Sequence, residues 1–173
     1  MNIRALIRDI PDFPKPGILF KDITPVLADG PAFAWIVEQL AERYRGRVDA
    51  VVGVESRGFL IGAPVAYAMG VGLCIVRKPG KLPHDTHAVT YQLEYGSDAL
   101  EIHRDTFPPG ARVVVLDDLL ATGGTAVATV ELVTAAGGRV VECGFMIELG
   151  FLGGRARLAP TPCFSLVSYD AEG

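Results

Sequence analysis

Arg112-Val-Val-Val-Leu-Asp-Asp-Leu-Leu-Ala-Thr-Gly-Gly-Thr125 holds the two signals that decide the fold. Its first half, Arg112 to Asp117, is β-branched and apolar throughout, as a central parallel strand covered on both faces requires. Its second half opens a helix, expected from about Thr125 to Ala136, through the small residues Ala121, Thr122, Gly123 and Gly124. Such a loop can present backbone N–H groups, hydroxyls and the positive end of a helix dipole to a phosphate. Asp117 and Asp118 stand at the junction. Carboxylates repel phosphate, so they are expected to accept hydrogen bonds from a sugar diol beside it, which makes the segment a ribose 5-phosphate site. Desolvating two adjacent acids is costly, which argues against an idle turn. No Walker-type Lys follows the glycines and no GxGxxG is present, so triphosphate hydrolysis and dinucleotide binding are poorly supported.

Working outward, helical spacing at Phe33, Ile36, Val37, Leu40 and Tyr44 predicts a helix entered at Pro31 and ending near Gly46. Asp49 to Glu55 follows as a buried strand, Gly58 to Met69 as a helix closed by Gly70, and Val71 to Arg77 as the next strand. Residues 78–88 show no apolar period and are expected to form a mobile loop. Val89 to Tyr95 and Ala99 to His103 predict a hairpin turning at Gly96-Ser97. Arg139 to Glu148 and Phe164 to Tyr169 complete the strands. Strands alternating with helices predict a three-layer α/β domain with ligands where strands end and helices begin. No internal repeat, linker or low-complexity tract interrupts it, and 173 residues, half of them apolar, suffice for one domain with its own core.

The net charge of −4 is modest and the cations are scattered, so nucleic acid is not an expected partner. Apolar runs such as Val113 to Leu116 are far shorter than the roughly 20 residues that span a bilayer, so no membrane partner is expected either. Met1 to Asp9 lacks the apolar core of a signal peptide. Cys74, Cys143 and Cys163 show no pairing or metal spacing and are expected to be buried free thiols in a reducing cytoplasm.

Three further segments carry chemistry. Val54-Glu55-Ser56-Arg57-Gly58-Phe59 turns from a strand into a helix, where N–H groups and Arg57 can meet a second anion. Arg77-Lys78-Pro79-Gly80-Lys81 sets three cations at the start of a loop that could close over that anion. Phe13-Pro-Lys-Pro-Gly17-Ile-Leu-Phe20-Lys21-Asp22 is extended and Pro-rich; the Phe20 ring can stack on a purine while main-chain groups near Leu19 and Lys21 read its edge. His84 and His87 flank Asp85, but a third well-spaced metal ligand is missing.

Val113 to Thr125 resembles the phosphoribosyl pyrophosphate (PRPP) signature of type I phosphoribosyltransferases, and its Asp117-Asp118-Leu-Leu-Ala-Thr-Gly-Gly-Thr125 form is similar to the adenine-specific branch. The resemblance extends from Ile10 to about Tyr169. It implies a central mostly parallel sheet, a base-binding hood over about residues 1–30, and a flexible lid over about 78–95. By the same resemblance, Asp117 and Asp118 hold the ribose hydroxyls, and Ala121, Thr122, Gly123, Gly124 and Thr125 wrap the 5-phosphate. Glu55, Ser56 and Arg57 form the pyrophosphate loop, with a cis peptide expected between Glu55 and Ser56. Arg77, Lys78 and Lys81 contact pyrophosphate, with some of these contacts allowed to come from the other subunit of a homodimer. Leu19, Phe20 and Lys21 bind adenine, with Leu152 or Leu149 as the opposite wall. Tyr91-Gln-Leu-Glu94-Tyr95-Gly96 looks like the catalytic segment, in which Glu94 assists proton movement at the base and Tyr95 closes over the reacting centre. The implied activity is that of a cytoplasmic pentosyltransferase of purine salvage, joining adenine to PRPP with Mg²⁺ held by the substrate rather than by the protein. Two alternatives stay open: a transferase for hypoxanthine, guanine or xanthine, which base competition would reveal, and a non-catalytic PRPP-sensing regulator. Against the regulator stand the intact lid cations and the lack of a helix-turn-helix appendage.

Overall fold

The buried valines of the 112–120 run settle into the middle of a parallel sheet because both of its faces are covered by helices. The computed structural model describes residues 1–92 and 97–171. Its strands and helices, in chain order, are β1 (Arg8–Ile10), β2 (Phe20–Asp22), α1 (Thr24–Ala28), α2 (Gly30–Tyr44), β3 (Ala50–Val54), α3 (Arg57–Met69), β4 (Gly72–Val76), β5 (Thr86–Gln92), β6 (Ser97–His103), β7 (Arg112–Leu120), α4 (Gly124–Ala135), β8 (Arg139–Leu149), α5 (Gly154–Leu158) and β9 (Cys163–Tyr169). The five-stranded sheet has the order β4-β3-β7-β8-β9 and is parallel at every pairing.

Pleat alternation divides β7 between two cores. Val114 and Leu116 join residues of α2 and α3, such as Ile36, Leu40 and Ile61, on one face. Val113 and Val115 join Ala128 and Leu132 of α4, and Leu100 and Ile102 of the β5–β6 hairpin, on the other. The chain winds from β3 to β4 in one direction and from β7 through β8 to β9 in the other, so the order reverses between β3 and β7. That reversal splays the connections after the two strands to opposite faces and leaves a crevice beyond their carboxyl ends.

Four sequence expectations change in detail. The strand expected to stop at Asp117 continues to Leu120, because Leu119 and Leu120 pair with Ile147 and Glu148 of β8. The loop expected through residue 88 gives way to β5 at Thr86, where main-chain pairing with His103 of β6 needs no apolar period. The extended Pro-rich segment has a paired base, since Arg8–Ile10 and Phe20–Asp22 form an antiparallel ladder. Of the three free cysteines only Cys143 is fully buried. Burial pushes its thiol up to about 12, and pushes the half-buried Cys74 and Cys163 to about 11. Among the described residues no helix is long and apolar enough to cross a membrane. The expected turn at Gly96-Ser97 lies partly outside the described residues.

Candidate active site

A cavity of about 430 Å³ occupies the crevice between β3 and β7. Its lining is the connection Glu55–Arg57 on one side, the stretch Asp117–Ala126 on the other, and Phe145 of β8 as a floor. Two of the expected groups, the turn after β3 and the phosphate loop after β7, thus share one space. What lets them approach is Gly58: a Cβ there would stand 2.9 Å from both Asp117 Oδ1 and the Leu116 carbonyl oxygen. The peptide between Glu55 and Ser56 is cis, as expected.

The acidic pair is tightly coupled. Asp118 N–H donates to Asp117 Oδ1 at 2.9 Å. Asp118 is 4% exposed, and burial pushes its carboxyl up against the opposing pull of Arg57. Burial and the neighbouring Asp118 charge push Asp117 well above the ordinary carboxylate range. Arg57 Nε lies 2.9 Å from Asp118 Oδ2, but its N–H is not aligned on that oxygen, which remains a buried acceptor without a hydrogen bond among the described residues. An acceptor left in this condition is costly unless a ligand hydroxyl satisfies it.

The phosphate loop is braced from behind. Gly154, the first residue of α5, packs against it so closely that a Cβ there would overlap the Ala121 carbonyl oxygen and meet the Leu120 side chain. α5 is held in turn by Arg155, whose guanidinium forms a two-pronged pair with the buried Glu148 of β8, and Ser165 of β9 donates to the same carboxylate at 2.7 Å. The Arg155 hydrogen bonds hold Glu148 below its ordinary value despite burial.

The cations of the expected lid stand outside the cavity lining, and two of them, Arg77 and Lys78, are held by acids. Arg77 bonds Glu55 through Nε at 3.3 Å and Nη2 at 3.1 Å, and the Lys78 N–H donates to Glu55 at 2.7 Å. Burial raises the Glu55 pKa, but these donors outweigh it and leave the carboxyl below its ordinary value. Lys78 Nζ pairs with Asp98 of β6 at 3.0 Å, and that hydrogen bond raises its pKa. Lys81 is exposed, and its carbonyl accepts from Arg77 Nη1 at 3.5 Å. Glu94 and Tyr95 lie outside the described residues.

On the hood, the Phe20 ring lies 5.2 Å from the Arg57 guanidinium and makes an edge contact with Phe13 at 5.0 Å, so its strand reaches the cavity mouth. Leu19 is half-buried beside it. The Lys21 side chain points elsewhere: it is 5% exposed, paired with Asp9 at 2.7 Å and 4.2 Å from the centre of the Tyr169 ring. Leu152, 39% exposed, sits in the 3-10 turn Gly150–Leu152 that precedes α5. Sequence reasoning missed Phe145, Asp98 and Gly154, whose roles come from tertiary neighbours; for Gly154 only the Gly153-Gly154 pair hinted at a close approach.

A parallel sheet whose order reverses over an acidic pair and a glycine-rich loop defines a phosphoribosyltransferase, and the phosphoribosyl transferase domain family matches residues 26–160. The chain is 58% identical over 169 residues to adenine phosphoribosyltransferase of Chloroflexus aurantiacus, covering 97% of this chain and 98% of that protein. It is 59% identical over 169 residues to the adenine phosphoribosyltransferase of Roseiflexus sp. strain RS-1, with the same coverage. The crystal structure of the Thermoanaerobacter pseudethanolicus enzyme superposes with a TM-score of 0.94 at 53% identity, covering 97% of this chain and 98% of that one. The Saccharomyces cerevisiae enzyme, solved with adenine and an imino-altritol bisphosphate, gives 0.90 at 40% identity over 95% of this chain and 96% of that one. The chain belongs to the adenine phosphoribosyltransferase family and is a pentosyltransferase, as the residues of its phosphate loop indicate.

Proposed function

We propose that this chain displaces pyrophosphate from PRPP with adenine, giving AMP, in the cavity between β3 and β7. The carrying observation is the convergence there of Asp117 and Asp118, the loop Ala121–Thr125 and the Glu55–Arg57 turn. The Asp118 carboxylate, ion-paired with Arg57 but with no hydrogen bond to Oδ2 among the described residues, is an acceptor for a ribose hydroxyl, and the N-terminal turn of α4 receives the 5-phosphate. Adenine stacks at Phe20 with the main chain of Leu19 and Lys21 along its edge, and Leu152 forms the far wall.

The donor set suits an ion that arrives on the substrate. Carboxylates facing the cavity come from Glu55, Asp117 and Asp118, yet Glu55 is engaged by Arg77 and Lys78, and among the described residues no group of three or more such ligands is arranged for a metal. Mg²⁺ arriving with PRPP would supply charge neutralisation at the pyrophosphate, held by the substrate rather than by this chain's carboxylates. The protein's own cations, Arg57, Arg77, Lys78 and Lys81, take up the remaining charge. As the bond to pyrophosphate lengthens, the sugar becomes cationic, and the negative potential of Asp117 and Asp118 favours it. The lid, about residues 78–95, excludes water that would otherwise capture the sugar. Glu94 takes the proton released at the base.

The hood and lid are parts of one domain in this proposal, and the protein is a cytoplasmic homodimer. Leu60 and Tyr67, seven residues apart on α3, and Leu73 on edge strand β4 are 47%, 90% and 40% exposed, a set of apolar groups suited to burial between subunits. Free thiols suit a reducing compartment. Glu94→Gln tests the chemistry: turnover falls about 100-fold or more, the scale of a lost general acid–base group, while AMP affinity changes little. Equal losses in turnover and AMP binding overturn the role of Glu94.

A further inference from the structure

Tyr91 belongs to β5, in the lid hairpin, yet its hydroxyl lies 3.1 Å from Thr125 Oγ1 in the first turn of α4. Its ring lies over the same turn: a Cβ built on Gly124 would stand in ordinary contact with it, 3.4 Å from Tyr91 Cδ2 and 3.6 Å from the Gln92 carbonyl oxygen. Thr125 lines the cavity, whereas Tyr91 stands behind it, outside the lining. Across the hairpin Tyr91 is the register partner of Asp98, the residue that holds Lys78. The half-buried phenol is thus set against the phosphate loop by both its ring and its hydroxyl.

A threonine hydroxyl has one hydrogen to give and two lone pairs to receive with. Without a phosphate, Thr125 and Tyr91 can exchange donor and acceptor roles. A phosphate dianion only accepts, so a Thr125 hydroxyl that serves it has spent its hydrogen, and Tyr91, whose hydroxyl also faces the Asp98 carboxylate, can then bond Thr125 only as the donor. The chain Tyr91 O–H to Thr125 O–H to phosphate oxygen has one direction, and each member polarises the next.

We propose that Tyr91 is a positioning residue for the 5-phosphate, aiming the Thr125 hydroxyl by donating to it and so tying the lid hairpin to phosphate occupancy. The inference rests on the proposed placement of the 5-phosphate at residues 121–125. Its consequence is that the end of β5 is anchored to the loop proposed to hold the 5-phosphate.

Tyr91→Phe keeps the ring over Gly124 and removes only the donor. In steady-state assays it raises KM for PRPP and weakens AMP binding about threefold to tenfold, the range of one net hydrogen bond, with KM for adenine within twofold of wild type. Thr125→Val weakens AMP binding by itself, and adding Tyr91→Phe to it has no further effect; in a Thr125→Ser background the Tyr91→Phe penalty returns. Effects that simply add in the Tyr91→Phe/Thr125→Val double variant, or equal losses for PRPP and adenine, overturn the positioning role. If Thr125→Val leaves AMP and PRPP binding intact, the 5-phosphate is not at this loop and the proposal falls with that placement; if Thr125→Val weakens binding and Tyr91→Phe does not, the placement stands and only the relay fails.

Discussion

Between Ala121 and Gly124 the chain is fixed by close main-chain packing, with Gly154 pressed against the Ala121 carbonyl; between Arg77 and Lys81 it is fixed by the acids Glu55, Asp98 and Glu101, which hold its cations and N–H groups. In the proposed function both segments serve the same substrate, the first from within the cavity lining and the second from outside it. The first presents backbone and buried carboxylates whose geometry is set before any ligand arrives, which is where electrostatic preorganisation is strongest. The second offers Arg77 and Lys78, charges already partnered by carboxylates, so a pyrophosphate binding there would take them over from those acids. On the proposed function, grip on the ribose phosphate is therefore built into the fold, and grip on the leaving group is exchangeable.

Substitutions should separate the two. The largest effect is expected from Asp117→Asn combined with Asp118→Asn, which removes measurable PRPP binding in calorimetry yet raises Tm at pH 8 by about 2–4 °C per kcal/mol of relieved charge. The sign follows from the raised Asp117 pKa: an acid pushed up in the folded state destabilises that state once ionised, so the variant's advantage is full above the raised pKa and shrinks as pH falls through it. Intact PRPP binding, or a Tm gain that grows toward acid pH, would contradict this. Gly154→Ala comes next. Overpacking against the Ala121 carbonyl costs about 1–3 kcal/mol in urea unfolding and weakens AMP binding in parallel; an unchanged midpoint would mean the brace is slack. Smallest in stability is Lys78→Met, at most about 1 kcal/mol for a pair whose lysine side chain is 57% exposed. Its mark is functional, a KM for PRPP raised about tenfold, as loss of one charge-assisted contact implies. A stability loss matching that of Gly154→Ala would erase the distinction between the two segments.

The same contrast explains what could be read from the chain. Val113 to Thr125 announced both sheet and phosphate loop because a strand buried on both faces and a glycine-rich helix start leave composition marks at fixed positions. The cis peptide at Glu55–Ser56 was expected from the resemblance of its loop and is present. Illegible were the partners of the lid. Asp98 and Glu101 look like ordinary hairpin acids until register sets Asp98 beside Lys78 and Glu101 opposite Arg77. Lys21, placed by its motif beside the base, directs its side chain instead to Asp9, its partner across the β1–β2 ladder, and to Tyr169 of β9. Strand ends were misjudged for a related reason: Leu119, Leu120 and Thr86 join ladders through main-chain partners that no local pattern encodes.

The central claim is that the cavity between β3 and β7 binds PRPP and that Phe20 and its strand select adenine. Pyrophosphate release from PRPP and Mg²⁺, measured with adenine, hypoxanthine, guanine, xanthine and uracil supplied separately, tests it most directly. Release with adenine alone is the predicted result. Release only with another base would keep the PRPP site and contradict the base assignment, and no release with any base, despite PRPP binding, would contradict catalysis itself.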